Sequence, residues 1–119
     1  MAVRRSNPPF LNGVPELLIL QLLSRRAMYG YELVQAIRAA TRETLEFGEG
    51  CIYPILHRLE DQKLLSASQD VVGGRTRFVY RVTTKGKAQL SESVSAWQRV
   101  VDSVNHALQG GDRGRAAVA

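Results

Sequence analysis

Three rhythms of apolar and polar residues run along the chain, and each predicts a different kind of element. Between Val14 and Arg26, Leu17, Leu18, Ile19, Leu20, Leu22 and Leu23 cover most of a helical circumference, so this first helix is expected to be buried on more than one side. Proline and Glu16 in its first turn and Arg25 and Arg26 in its last suit the helix dipole. A second helix begins just after Gly30, with Leu33, Val34, Ile37 and Ala40 on one stripe and Glu32, Gln35, Arg38 and Arg42 turned outward. Ile52, Ile55, Leu56 and Leu59 then fall at i, i+3, i+4 and i+7, which predicts a third helix running to about Lys63.

The period then changes to two. Phe78, Tyr80 and Val82 alternate with Arg77, Val79 and Arg81, and Gly73-Gly74 separate this run from L-L-S-A-S-Q-D-V-V, so a β-hairpin with one face packed on the helices is expected. A last helix starts with Thr83 or Thr84 as its N-cap. Its apolar positions are Leu90, Val94, Trp97, Val101, Val104 and Leu108, spaced 4, 3, 4, 3, 4, with Val100 beside them. That is an a/d seam, narrower than the stripe of a helix lying in a monomer core. About 28 Å of seam is more than a hairpin can cover, so a second copy of the chain is expected there. Leu18 and Leu22 of the first helix join these six residues in the expected dimer interface.

Both ends lack such patterns. Residues 1–11 hold two arginines and two prolines and read as a flexible basic arm; residues 109–119 are glycine-rich and read as a disordered tail. The ordered chain therefore divides into residues 12–84, a head, and residues 85–108, a dimerisation helix.

Composition narrows the function. The chain has 119 residues, one domain's worth, and 45% of them are hydrophobic, as in an ordinary globular protein. No apolar run long enough to span a membrane occurs, and no secretory signal is apparent, so a cytoplasmic location is expected. One cysteine, Cys51, and two separated histidines, His57 and His106, do not suggest a metal site, and no cofactor is called for. No nucleophile–base pair, paired carboxylates in an apolar setting or phosphate-cradling glycine loop followed by lysine points to an enzyme. Sixteen Lys and Arg against eleven Asp and Glu give +5, and thirteen of the sixteen are arginine, whose planar fork suits phosphate oxygens and guanine edges.

Three helices, a two-stranded wing with a basic tip, and a further helix make a mostly α fold with a small β-hairpin wing. This is a winged helix-turn-helix with a long C-terminal dimerisation helix. In that arrangement the third helix enters the DNA major groove by its N-terminal end while the second helix and the wing touch the backbone. A winged-helix protein-interaction module that never meets DNA has the same order of elements. Arg75 and Arg77 at the wing tip, and Arg38 and Arg42 on the outward face of the second helix, favour double-stranded DNA.

The motifs Y-G-Y-E-L (29–33), G-C-I-Y-P-I-L-H-R-L-E (50–60) and Y-R-V-T-T-K-G (80–86) together resemble the PadR family of bacterial transcriptional regulators. The resemblance covers about residues 12–108, and the single C-terminal helix is similar to the family's short-chain subgroup. It implies a homodimer formed through the last and first helices. It also implies a repressor that binds a palindromic operator and releases it when a small molecule binds.

Candidate site residues follow. Gly48 and Gly50 keep bulk away from the start of the third helix, whose free N–H groups attract phosphate. Pro54 forces that helix to start near Glu49 or Gly50. Tyr53 is expected to point off the apolar stripe with its hydroxyl toward a phosphate, and the resemblance places Tyr53 and Pro54 at the DNA surface. His57, one turn on, reaches DNA or is merely solvated. Arg58 reads a guanine edge or pairs with Glu32 or Asp61. Tyr31, Gln35, Arg38 and Arg42 complete the helical part of the DNA face, and Arg75, Thr76 and Arg77 form its wing, expected to contact phosphate or the minor groove. Cys51, at the helix start, is a DNA-proximal redox switch or only a small side chain. Trp97, with Val94 and Val101, is a core aromatic of the dimer or one half of a stacking site for a planar aromatic effector, as in short-chain members of the family. A redox-gated or constitutive regulator remains the nearer alternative.

Overall fold

The computed structural model describes Asn7 and residues 11–110. Most of the expected arm and tail, residues 1–6, 8–10 and 111–119, lie outside the described residues. The elements run α1 (Val14–Arg25), β1 (Met28–Tyr29), α2 (Gly30–Ala40), α3 (Glu49–Asp61), β2 (Leu65–Val72), β3 (Arg75–Val82) and α4 (Thr84–Leu108). Ile19 and Leu20 of α1, Leu33 and Ile37 of α2, Ile52, Leu56 and Leu59 of α3 and Leu65 of β2 are fully buried, so three amphipathic helices and the root of the hairpin share one core. Each such side chain contributes about 1.5–3 kcal/mol by leaving water.

The three strands form an antiparallel sheet in the order β1-β3-β2. Val72 pairs with Arg75, so Gly73 and Gly74 alone make the turn; their φ values of 59° and 80° are the left-handed pair that a two-residue hairpin needs. β1 was not expected, because two residues carry no readable alternation. It places Met28 opposite Tyr80 and Tyr29 opposite Val79, making β3 the central strand.

That placement corrects the expected hairpin face. Tyr80 and Val79 are both buried, although they point to opposite sides of the sheet, while Phe78 is 57% exposed. Phe78 shares Tyr80's face but lies beyond the last β1 pair, past the end of the core.

The junction from β3 into α4 is tight. Thr83 caps α4 by accepting a bond from the Gly86 N–H (3.0 Å), and its hydroxyl also bonds the Lys63 carbonyl (2.7 Å). The Thr83 N–H donates to the Leu64 carbonyl at 3.1 Å. A Cβ on Gly86 would lie 2.1 Å from that same carbonyl oxygen, so the helix approaches the chain's own backbone as closely as glycine allows.

α4 packs on α1, and Leu90 near the start of α4 is buried. Val94, Trp97, Val100, Val104 and Leu108 are exposed and Val101 is half-buried. Two expected interface residues thus belong to the chain's own core instead. Leu22 is 7% exposed and Leu90 9%, because the first turns of α4 lie against α1 and enclose both. Leu17 and Leu18 remain half-buried on α1.

Candidate nucleic-acid interface

α3 divides cleanly into two faces. Ile52, Leu56 and Leu59 are buried, while Gly48 before it, Glu49, Gly50, Cys51 and Pro54 within its first half, and His57 one turn after Pro54, are exposed. Pro54 is in the second turn and has no N–H to donate, so the Gly50 carbonyl lacks its usual partner four residues on. Cys51 is exposed at the rim of a groove of about 530 Å³ between α1 and α3, lined by Leu11, Phe47 and Ile55.

Tyr53 departs from its expected orientation. It is half-buried and its ring lies on Gly30: a Cβ there would meet the ring's Cζ and Oη at 2.4 Å. The first residue of α2 therefore has to be glycine for α3 to sit at this distance, and the hydroxyl ends beside the first turn of α2. The His57 ring lies 6.3 Å from that of Tyr53, tilted by 46°.

Arg58 turns away from this surface. Its guanidinium pairs with Glu16 of α1 at 2.7 Å, neither with Glu32 nor with Asp61. Glu32 is engaged elsewhere, accepting from the Tyr29 N–H (3.1 Å) and pairing with Arg26 (3.2 Å) at the start of α2. Of the outward residues on α2, Tyr31 and Gln35 are exposed, while Arg38 is half-buried and pairs with Glu43 at 2.7 Å. Arg42 is exposed just past the helix, in a left-handed conformation with φ of 53°.

At the wing, Arg75 and Thr76 are exposed on either side of the first cross-strand pairs after the turn. Arg77 is different. Its guanidinium carbon stands 4.3 Å from the centroid of the Tyr29 ring, and its Nε is the one buried side-chain polar atom among the described residues without a hydrogen-bond partner. On the far edge, Arg81 bonds Ser68 (2.7 Å) and Asp70 (3.1 Å) across β2 and β3.

Away from the head, Trp97 is 43% exposed and lines a cavity of about 260 Å³ between α4 and the start of α1. Val14 and Leu17 of α1 and Ser93, Ala96 and Val100 of α4 share it. Val94 and Val101, expected beside Trp97, lie on its other flank and do not line this cavity.

Residues 19–92 match the sequence model of the transcriptional regulator PadR-like family. The chain belongs to that family. It is 36% identical over 95 residues to a transcriptional regulator of Mycobacterium tuberculosis, covering 80% of this chain and 86% of that one. Its fold is similar to that of a PadR-like transcriptional regulator from Bacillus cereus, with a TM-score of 0.75, 36% identity and coverage of 87% of this chain and 99% of the other. A PadR family regulator from Eggerthella lenta is similar at a TM-score of 0.71 with 32% identity, over 82% and 83% of the two chains.

This PadR-like regulator has a winged helix head and a long C-terminal helix, and among the described residues no helix is long and apolar enough to cross a membrane. Several residues that shape the head escape a reading of its sequence. Asn7, within the expected flexible arm, bonds the Glu46 carbonyl (2.8 Å) and accepts from the Glu46 N–H (3.3 Å), tying that point to the loop before α3. Glu16 holds Arg58, for which Glu32 and Asp61 were the expected ionic partners, and Tyr29 holds Arg77, a wing arginine expected at the DNA. Their pairings bridge distant parts of the chain, and no local period signals them.

Proposed function

We propose that this PadR-like regulator is a homodimeric repressor that reads a palindromic operator with α3 and releases it when a planar aromatic molecule binds beside Trp97. The observation that carries the reading is the open start of α3: a helix buried along one side leaves Gly50, Cys51 and Pro54 exposed in its N-terminal half, with His57 exposed one turn further on. That is the end a recognition helix presents to base edges. Tyr31, Gln35, Tyr53 and Arg42 flank it on the phosphate side, with Arg75 and Thr76 reaching the backbone from the wing. Arg38 joins them after giving up Glu43, an exposed pair that holds it by only about 0.2–1 kcal/mol.

The second copy is inferred from α4. Val94, Trp97, Val104 and Leu108 are exposed and Val101 is half-buried among the described residues, and a twofold pairing of two such helices would cover them. The cavity beside Trp97, about 260 Å³, is slightly smaller than a usual ligand site; in the proposed dimer a partner helix across it would supply a further wall. A ligand that prefers one spacing of the two heads shifts DNA affinity by its differential affinity for the two states.

The test is a mobility shift and footprint on the DNA upstream of the protein's own coding sequence, repeated over a range of salt. Two protected half-sites about one helical turn apart, with affinity falling steeply as salt rises, are expected. Failure to bind at any salt would favour a protein-interaction module. Titration of planar aromatic compounds should quench Trp97 fluorescence and release the DNA; quenching by none of a broad set leaves Trp97 a packing residue and the regulator without this effector.

A further inference from the structure

Arg75 and Arg77 stand two residues apart on one strand and look equivalent in sequence. Their surroundings are not equivalent. Arg75 is exposed beside the turn, whereas Arg77 is half-buried, stacked over Tyr29 at 4.3 Å with its Nε sealed from solvent. The sheet register explains the stacking: Tyr29 pairs with Val79, so Arg77 is its diagonal neighbour on the same face, within reach of a long side chain. β1 ends at Tyr29, and the guanidinium fills the position beyond it.

Tyr29 is itself held. It precedes the first residue of α2, its N–H donates to Glu32 Oε1, and the other Glu32 oxygen pairs with Arg26. The chain Arg77–Tyr29–Glu32 therefore joins the wing to the start of the second helix. A phosphate has no access to the buried Nε, and drawing the guanidinium outward forfeits the ring face.

We propose that Arg77 is a positioning residue rather than a phosphate ligand: stacked on Tyr29, it sets the angle of the wing to α2 and α3, and only Arg75 and Thr76 meet the DNA there. The proposal rests on the DNA-binding reading above. It differs from the expectation that both wing arginines meet the DNA, and the difference is measurable. Removing a phosphate ligand reduces the dependence of log K on log salt by about one unit, whereas loosening a hinge lowers affinity at every salt alike.

The experiment is fluorescence anisotropy of the intact protein on a labelled duplex from its own upstream region, across salt. Arg75→Ala, Arg77→Ala, Tyr29→Leu, Tyr29→Phe and the Arg77→Ala/Tyr29→Leu double variant are compared. Arg75→Ala should flatten the slope by about one unit. Arg77→Ala should keep the slope and weaken binding by at least about two- to fivefold, the lower bound that a cation–π contact sets. Tyr29→Leu should match that loss, the double variant should add little to it, and Tyr29→Phe, which keeps the ring face, should bind as the unaltered protein does. A slope reduced by about one unit in Arg77→Ala, or additive losses in the double variant, overturns the proposal. Hydrogen exchange of the wing amides without DNA keeps the two readings separable, since Arg77→Ala and Tyr29→Leu should speed exchange across Val71–Phe78 to the same extent. If the unaltered protein shows no salt-dependent binding, the DNA reading fails while exchange still decides the clamp; unchanged exchange in both variants removes the clamp.

Discussion

Replacing Gly86 by alanine should destabilise the protein, although the same change inside most helices stabilises it. The new Cβ would stand 2.1 Å from the Leu64 carbonyl oxygen, 3.0 Å from its carbon and 3.4 Å from its Cα. Ordinary contact needs at least about 1.3 Å more than the first of these distances. The neighbour is backbone, and it is fixed: Leu64 is buried, its carbonyl accepts the Thr83 N–H, and Thr83 also binds Lys63 and Gly86. Overpacking of this kind costs about 1–3 kcal/mol, while alanine's helical advantage over glycine returns about 0.5–1 kcal/mol. The net loss of about 1–2 kcal/mol corresponds to a Tm lower by roughly 5–15 °C. Thermal melts followed by far-ultraviolet circular dichroism, at matched protein concentrations because association itself stabilises, would measure it. Gly50→Ala is the control, as nothing lies within 4 Å of the Cβ it would add in the first turn of α3. That variant should melt at or slightly above the unaltered protein. A Gly86→Ala protein as stable as its Gly50→Ala counterpart would refute the packing argument.

The other predictions concern separate surfaces. Val104→Asp alters a half-exposed position of the single chain, so it should leave the helical spectrum of the head intact and convert the dimer to monomer in sedimentation; an unchanged dimer mass would place the interface elsewhere. Arg58→Ala removes an exposed pair with Glu16 and should cost at most about 0.2–1 kcal/mol of stability with no change in the salt slope of DNA binding, and a slope lower by about one unit would return Arg58 to the DNA surface. Burial, then the charges of Glu60 and Tyr53, raise the Tyr80 phenol above its ordinary pKa of 10.0. The folded state thus holds this proton more tightly than the unfolded one, so the associated stability is complete below about pH 10 and is lost as pH rises above it. Tyr80→Phe should flatten that alkaline fall in urea midpoint; a parallel fall in both proteins would exclude Tyr80 as its source.

The parts of the fold that could be read in the sequence are those whose partners recur at a fixed interval. Leu33, Val34 and Ile37, and Ile52, Leu56 and Leu59, announce α2 and α3 because one buried side repeats every turn. Gly73-Gly74 announces the wing because few other residues adopt its turn. β1 is too short to have a period, and with it went the centre of the sheet, the exposure of Phe78 and the partner of Arg77. The seam of α4 is regular, yet regularity does not say who fills it. Leu90 continues the same heptad as Val94 and is nevertheless claimed by α1 of its own chain. For the site, residue types identified the exposed start of α3, while the orientation of Tyr53 and Arg58 depended on Gly30 and Glu16, which lie on other helices.

The contact of the Tyr53 ring with Gly30 leaves no slack between α2 and α3 of the head, and the Gly86–Leu64 approach leaves none between the head and the base of α4. Head and long helix therefore turn as one lever. α4 has 25 residues and extends about 37 Å, so a change of about 5° in how two such helices cross displaces a point that far along by about 3 Å. In the proposed dimer, substitutions among Val94, Val101 and Leu108 would retune the half-site spacing the regulator accepts while every side chain at the bases stays the same. Operator spacing can then drift in evolution independently of operator sequence.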